Sequence, residues 1–116
     1  MKYLFILNDP PYGTERSYNA LRLARNLFAK DKGEVRVFLI GDAAACGKAG
    51  QKVPQGYYNI ADMLSGLLRH GGTVNVCGSC MDARAIGETD LVSGAKRGSM
   101  DILTEWTAWA DKVLVF

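Results

Sequence analysis

Four short apolar runs, separated by stretches whose apolar residues recur at helical spacing, constrain this chain more than any other feature. The runs are Lys2 to Asn8, Glu34 to Ile40, Thr73 to Cys77 and Lys112 to Phe116. Each is rich in aliphatic and aromatic side chains and too short for a helix, which is the pattern of strands covered on both faces of a parallel sheet. The segments between them are long enough to be crossover connections. The expected architecture is therefore α/β: a single-domain, doubly wound, mostly parallel sheet with helices on both faces. In such sheets ligands gather at the carboxyl ends of the strands. That rule nominates three loops, Asn8 to Gly13, Gly41 to Cys46 and Cys77 to Arg84.

The connections can be read in order. Thr14 is expected to cap a first helix carrying Ala20, Leu21, Ala24, Leu27 and Phe28, with Glu15 and Lys30 placed to suit the helix dipole and Gly33 ending it. Gly41-Asp42 opens a short alanine-rich helix through Cys46. Gly47 to Tyr58 mixes three glycines, a proline, two lysines and two tyrosines without a period, and reads as a mobile surface loop. Asn59 caps the clearest amphipathic helix, with Ile60, Met63, Leu64, Leu67 and Leu68 on one face, and Gly71-Gly72 terminates it. Ala83 to Gly94 carries no assignable pattern. Ser99 caps a last helix with Ile102, Leu103, Trp106 and Ala110, and Trp109 widens its apolar face, as a subunit contact requires.

Composition narrows the function. The 116 residues form one domain, residues 1–116, large enough to fold without disulfides. Three cysteines are too few and odd for a secreted disulfide scaffold, so they are read as reduced thiols in the cytoplasm. The opening apolar run stops at Asn8-Asp9-Pro10, too early for a signal peptide, and no run approaches a membrane span. The net charge of +2 is scattered. Its densest basic group, Arg22, Arg25, Lys30 and Lys32, interleaves with a helical pattern, as a solvated face does, so no direct nucleic-acid contact is expected. Without a Gly-x-Gly-x-x-Gly or P-loop pattern, no bound organic cofactor is expected.

The chemistry concentrates in Thr73 to Arg84, where a strand runs into Cys77-Gly78-Ser79-Cys80 and a helix start. Unpaired backbone N–H groups at a helix amino terminus favour an anion, and such settings lower a thiol from its ordinary value of about 8.5. Either Cys77 or Cys80 is placed to ionise. Arg84 lies one helical turn beyond Cys80, where it serves as a thiolate partner, an anion holder or a surface ion pair. Asn8, Tyr12 and Gly78 are candidate pocket residues by the strand-end rule. Cys46 is expected to pack in its helix, and His70 to sit at a helix carboxyl terminus where partial positive charge is favourable.

Several functions compete for this motif. Thiol–disulfide redox chemistry on Cys77 and Cys80 uses the same strand–Cys-x-x-Cys–helix order, but thioredoxin-like sites also need a proline after the motif, and Pro10, Pro11 and Pro54 all precede it. A closed zinc site needs two further ligands, and only Cys46 and His70 are on offer, so no metal is expected. A non-catalytic oligomeric binding or scaffold protein, with the cysteines as bystanders, fits the tryptophan-rich last helix equally well.

A resemblance extends this reading. Pro11-Tyr12-Gly13, Asn19 to Ala24, Gly50-Gln51-Lys52, Tyr58-Asn59-Ile60, Cys77-Gly78-Ser79-Cys80 with Arg84, and Ala110 to Leu114 together resemble the DsrE/DsrF-like proteins, and within them the YchN-like branch. The resemblance implies a small doubly wound subunit assembling as a homotrimer or a trimer-based hexamer. It also implies a sulfur carrier, or sulfurtransferase-like protein, that holds a persulfide on Cys77 and exchanges it with donor and acceptor proteins. In the family an arginine follows the acceptor cysteine by seven residues, which gives Cys77 and Arg84 those roles. Cys80 would then resolve the persulfide, releasing sulfide and leaving a disulfide, or stand as an incidental helix residue. Relatives commonly carry glycine after that arginine where this chain has Ala85, so the local turn is expected to differ.

Overall fold

The computed structural model describes residues 1–116. In chain order the elements are β1 (Lys2–Leu7), α1 (Arg16–Asp31), β2 (Glu34–Leu39), a 3-10 segment (Gly41–Gly47), α2 (Ile60–Arg69), β3 (Thr73–Cys77), α3 (Gly78–Ala83), a 3-10 turn (Glu88–Asp90), β4 (Lys96–Gly98), α4 (Met100–Trp109) and β5 (Lys112–Val115). The strands form one sheet in the order β4-β3-β2-β1-β5, and every pairing is parallel. The four apolar runs all become strands. The fifth, Lys96-Arg97-Gly98, was illegible because it is three residues long and carries no apolar side chain; it joins the sheet by pairing with Asn75 to Cys77.

Strand alternation divides the core unequally. Phe5, Leu7, Val37, Leu39, Val74 and Val76 face α1 and α2, whose Ala20, Leu21, Ala24, Ile60, Leu64 and Leu67 complete a cluster of 22 buried residues. The opposite face is covered by α4, and there Leu4, Phe38 and Cys77 meet Leu103 and Trp106 in a cluster of only five. Fully burying a Leu, Val or Phe side chain contributes about 1.5–3 kcal/mol, so the α1–α2 face dominates apolar stabilisation. The thinner face is finished with oriented aromatics. Trp106 meets Phe38 edge-on, with ring centroids 6.1 Å apart, and Arg36 of β2 lies 3.8 Å from the Trp109 ring centroid. Trp109 is thereby engaged by the chain's own cation.

Local chemistry follows the sequence at some helix ends and departs at others. The Asn59 and Ser99 side chains accept hydrogen bonds from the Asp62 and Ile102 N–H groups, as N-caps do. Thr14 is not a cap: its hydroxyl donates to Asp9 Oδ2, and α1 starts after Glu15 without a side-chain cap. Helix α1 ends at Asp31 with Lys32 in the left-handed region (φ 52°), not at Gly33. Gly33 is small for another reason, since a Cβ there would lie 2.6 Å from the Met1 carbonyl oxygen and 2.7 Å from the Tyr3 ring.

The segment from Gly47 to Tyr58 is tied down rather than free. Gln51 Nε2 donates to the carbonyls of Lys48 (2.8 Å) and Cys46 (3.0 Å), and Gln51 Oε1 accepts from the Tyr12 hydroxyl (2.6 Å). Backbone bonds from Ala49 to Asp90 and from Val92 to Gly47 stitch the segment to the unassigned Ala83 to Gly94 region. A sequence pattern cannot reveal such a hub, because its partners lie on separate elements. Ala85, with φ 55°, lies in the left-handed region that glycine favours.

Candidate functional site

Strand β3 delivers Cys77 to the carboxyl edge of the sheet, and α3 begins at the next residue. Cys77 is 9% exposed and points to the α4 face, against Leu4, Phe38, Leu103 and Trp106. Its Sγ lies 3.4 Å from Ser79 Oγ. Cys80 follows one turn later, and its Sγ accepts a hydrogen bond at 3.1 Å from the Gly41 N–H at the end of β2. Gly41 has φ 59°, a conformation that glycine supplies without steric cost, so its N–H reaches the sulfur. All three cysteines are free thiols.

The two thiols of the pair are driven apart electrostatically. Burial raises Cys77, but hydrogen bonds from the Cys80 thiol, the Ser79 hydroxyl and the Cys80 and Ser79 N–H groups outweigh it and bring the thiol below its ordinary value. Cys80 moves the other way. Burial and its bond to Cys77 raise it, against smaller opposing effects of the Gly41 N–H and Arg84. Of the two thiols, Cys77 is therefore the more readily ionised and Cys80 the one that holds its proton.

The remaining sequence candidates fall in different places. Arg84 Nη2 pairs with Asp42 Oδ1 at 2.7 Å, and Arg84 Nη1 donates to the Cys80 carbonyl at 3.1 Å, so its charge is felt by Cys80. Gly78 lies under the guanidinium of Arg97, where a Cβ would sit 2.7 Å from Cζ. Asn8 donates from both its backbone and its side-chain nitrogen to the Phe116 carbonyl, anchoring the chain end beside β1. Tyr12 stacks near Tyr58 and accepts from the Ile60 N–H while donating to Gln51. It ties the loop after β1 to Gln51 and to the start of α2. Cys46 is fully buried, its thiol directed to the Asp9 carbonyl, and burial pushes it up to about 12. His70 Nδ1 sits 2.7 Å from the Gly66 carbonyl at the end of α2. No group of three or more His, Cys, Asp or Glu is placed to hold a metal ion.

Sequence reasoning missed Arg97. Its Nη1 and Nη2 bond both oxygens of Asp82, at 2.8 and 2.9 Å, across the side of α3. The only signal was an arginine in a stretch without a readable period. Cavity size is a poor guide here: a groove of about 700 Å³ between α1 and α2, lined by Arg25, Phe28, Tyr58 and Met63 among others, touches neither Cys77 nor Cys80.

A wholly parallel sheet that presents two unequal thiols where its third strand meets a short helix is an α/β fold with a cysteine pair at a strand end, the place where such sheets gather their ligands. Residues 1–116 match the model of the DsrE/DsrF-like family, and the chain belongs to that family. It is 40% identical over 116 residues to Protein YchN of Escherichia coli, covering 99% of this chain and 98% of that protein. It is 38% identical over 117 residues to Uncharacterized protein MJ0989 of Methanocaldococcus jannaschii, covering 100% of each. The crystal structure of the E. coli ychN protein superposes with a TM-score of 0.92 at 38% identity, covering 100% of this chain and 99% of that one. MTH1491 from Methanobacterium thermoautotrophicum, at 16% identity and a TM-score of 0.80 over 99% of this chain and 98% of that one, shares the fold. No helix is long and apolar enough to cross a membrane.

Proposed function

We propose that this protein is a sulfur carrier that holds sulfane sulfur as a persulfide on Cys77 and passes it to a partner protein. The observation that carries the reading is the placement of Cys77 where β3 meets α3, its sulfur 3.4 Å from the Ser79 hydroxyl, a setting whose hydrogen bonds lower this thiol while Cys80 is raised. Membership in a family associated with sulfur relay supplies the direction. In the loading step the Cys77 thiolate attacks the outer sulfur of a donor persulfide. A new S–S bond forms, the donor's S–S bond breaks, and its electron pair leaves with the donor thiolate. The unloading step repeats this with an acceptor thiolate as nucleophile, so neither step needs an external oxidant or reductant. Because Cys80 keeps its proton, it donates a hydrogen bond to the Cys77 sulfur instead of attacking the persulfide.

Donor and acceptor proteins are the partners of this reading, in the cytoplasm, where three free thiols stay reduced. Edge strand β5, with Val113 40% and Val115 64% exposed, supports association of copies into the homotrimer or trimer-based hexamer. The test is intact-mass spectrometry of reduced protein after exposure to a small-molecule persulfide donor, beside Cys77→Ser and Cys80→Ser variants. A one-sulfur adduct on wild type and Cys80→Ser, lost in Cys77→Ser, is expected. No adduct on wild type, or one undiminished by Cys77→Ser, overturns the proposal.

The position of the two free thiols three residues apart, each shifting the other's ionisation, favours thiol–disulfide exchange as a second reading. A Cys77–Cys80 disulfide formed reversibly by a dithiol reagent, without any sulfur adduct, would select it.

A further inference from the structure

We infer that Asp42 and Arg84 are positioning residues that clamp Cys80, seating its sulfur on the Gly41 N–H and so keeping it from the sulfur that Cys77 carries. The clamp stands on geometry alone; its effect on carried sulfur rests on the sulfur-carrier reading. Helix α3 is six residues long, too short to hold itself, so its seat comes from contacts. Met81, fully buried, supplies one. The 3-10 segment supplies the others. Its turn at Gly41 (φ 59°) brings the Gly41 N–H to 3.1 Å from Cys80 Sγ, and Asp42 Oδ1 to 2.7 Å from Arg84 Nη2. Arg84 reaches back with Nη1 to the Cys80 carbonyl at 3.1 Å. Adjacent residues of one segment thus grip Cys80 twice. Gly41 takes its sulfur, and Asp42, through Arg84, takes its backbone.

Released from that seat, Cys80 has a reaction available when Cys77 is loaded. The Cys80 thiol gives up its proton and its sulfur attacks Cys77 Sγ. A Cys77–Cys80 disulfide forms and the bond from Cys77 Sγ to the outer sulfur breaks. The outer sulfur leaves with the electron pair, takes up the proton and departs as hydrosulfide. The sulfane sulfur is reduced and the two thiols are oxidised, so no outside reagent enters. The clamp therefore selects between passing sulfur on and discharging it. The groups that face Cys80 are Cys77 at the end of β3, Arg84 at the end of α3, and the Gly41 N–H and Asp42 from the 3-10 segment. Burial is the largest of the effects that raise this thiol, and Arg84 opposes it. Loss of Arg84 by charge alone would therefore slow reaction at Cys80. Loss of a clamp exposes the sulfur and speeds it.

Two assays on wild type and folded Arg84→Gln, Arg84→Lys, Asp42→Asn and the Asp42→Asn/Arg84→Gln double variant test this. The first is iodoacetamide labelling of reduced, unloaded protein at pH 8, read at Cys80 by fragment-ion mass spectrometry. Arg84→Gln and Asp42→Asn should each label about threefold faster, the scale of one exposed ion pair, and the double variant no faster than either. Arg84→Lys, which keeps the charge, should fall between. Labelling of Arg84→Gln at or below the wild-type rate overturns the clamp. The second assay follows the one-sulfur adduct by intact mass after a small-molecule persulfide donor is removed. The adduct should decay about threefold faster in both single variants, with hydrosulfide and the Cys77–Cys80 disulfide appearing together. Adding Cys80→Ser should abolish that acceleration. Unaccelerated decay, or acceleration that survives Cys80→Ser, overturns the role in discharge. Faster Cys80 labelling without any adduct on wild type removes the carrier and keeps the clamp. An adduct on wild type with unresponsive labelling keeps the carrier and removes the clamp.

Discussion

Gln51 is the most informative residue to remove, because one side chain joins the loop after β1, the 3-10 segment after β2 and the start of α2. Gln51→Ala deletes three well-formed hydrogen bonds, to the Lys48 carbonyl (2.8 Å), the Cys46 carbonyl (3.0 Å) and the Tyr12 hydroxyl (2.6 Å). It also deletes two longer ones, to the Ala45 carbonyl and from the Ala61 N–H. At about 1 kcal/mol net for each good bond, less about 1 kcal/mol of side-chain freedom regained, plus the cost of partners left half-buried and unpaired, the loss is about 2–3 kcal/mol. For 116 residues the unfolding entropy is about 0.24 kcal/mol/K, so the melting temperature should fall by about 8–12 °C. Gln51→Glu keeps an acceptor for Tyr12 but turns a carboxylate toward two carbonyls, and should lose at least as much at neutral pH. The assay is thermal unfolding by circular dichroism, with urea titration as the equilibrium check. A fall of less than about 3 °C would show that solvent replaces these bonds at little cost and refute the hub.

Two further outcomes follow from single residues. Cys46 is held up to about 12 from 9.0 by burial, so the folded chain keeps a proton that the unfolded chain releases near 9. Its contribution is whole below that point and is lost as pH rises toward about 12; the stability advantage of wild type over Cys46→Ala in urea should therefore narrow between about pH 8 and 10.5, and a constant difference would contradict the burial argument. Ala85, at φ 55°, carries the left-handed conformation that costs a residue with a Cβ about 1 kcal/mol, so Ala85→Gly should raise the urea-derived stability by about 0.5–1 kcal/mol; a lowered midpoint would mean the turn is unstrained.

The sequence was most legible where one element decides its own form. Asn59 and Ser99 act as caps because a side chain and an N–H three residues on are enough. The apolar runs became strands because burial on two faces leaves a composition that survives without its neighbours. Thr14 misled because α1 begins only at Arg16, which puts Glu15 and not Thr14 at the capping position and leaves the Thr14 hydroxyl to donate to Asp9. At the site, the position of Cys77 at a strand end and Cys80 one turn on could be read directly. Arg84 could be placed near them by helical spacing, but its pairing with Asp42 depends on where β2 ends.

By itself, then, the sequence determined a parallel α/β sheet, its strand-end cysteine pair and the family to which these belong. Tertiary structure alone decided which thiol is lowered, since that depends on how burial and the Ser79 and Cys80 hydrogen bonds at Cys77, which only the folded turn aligns, weigh against those at Cys80. It also decided which arginine stands over Gly78 at the start of α3, through a three-residue edge strand with no apolar signature. The physical reason is the same in both cases. Hydrophobic period is a local property that burial imposes along the chain, whereas charge and hydrogen bonding act between atoms whose separation the period does not encode.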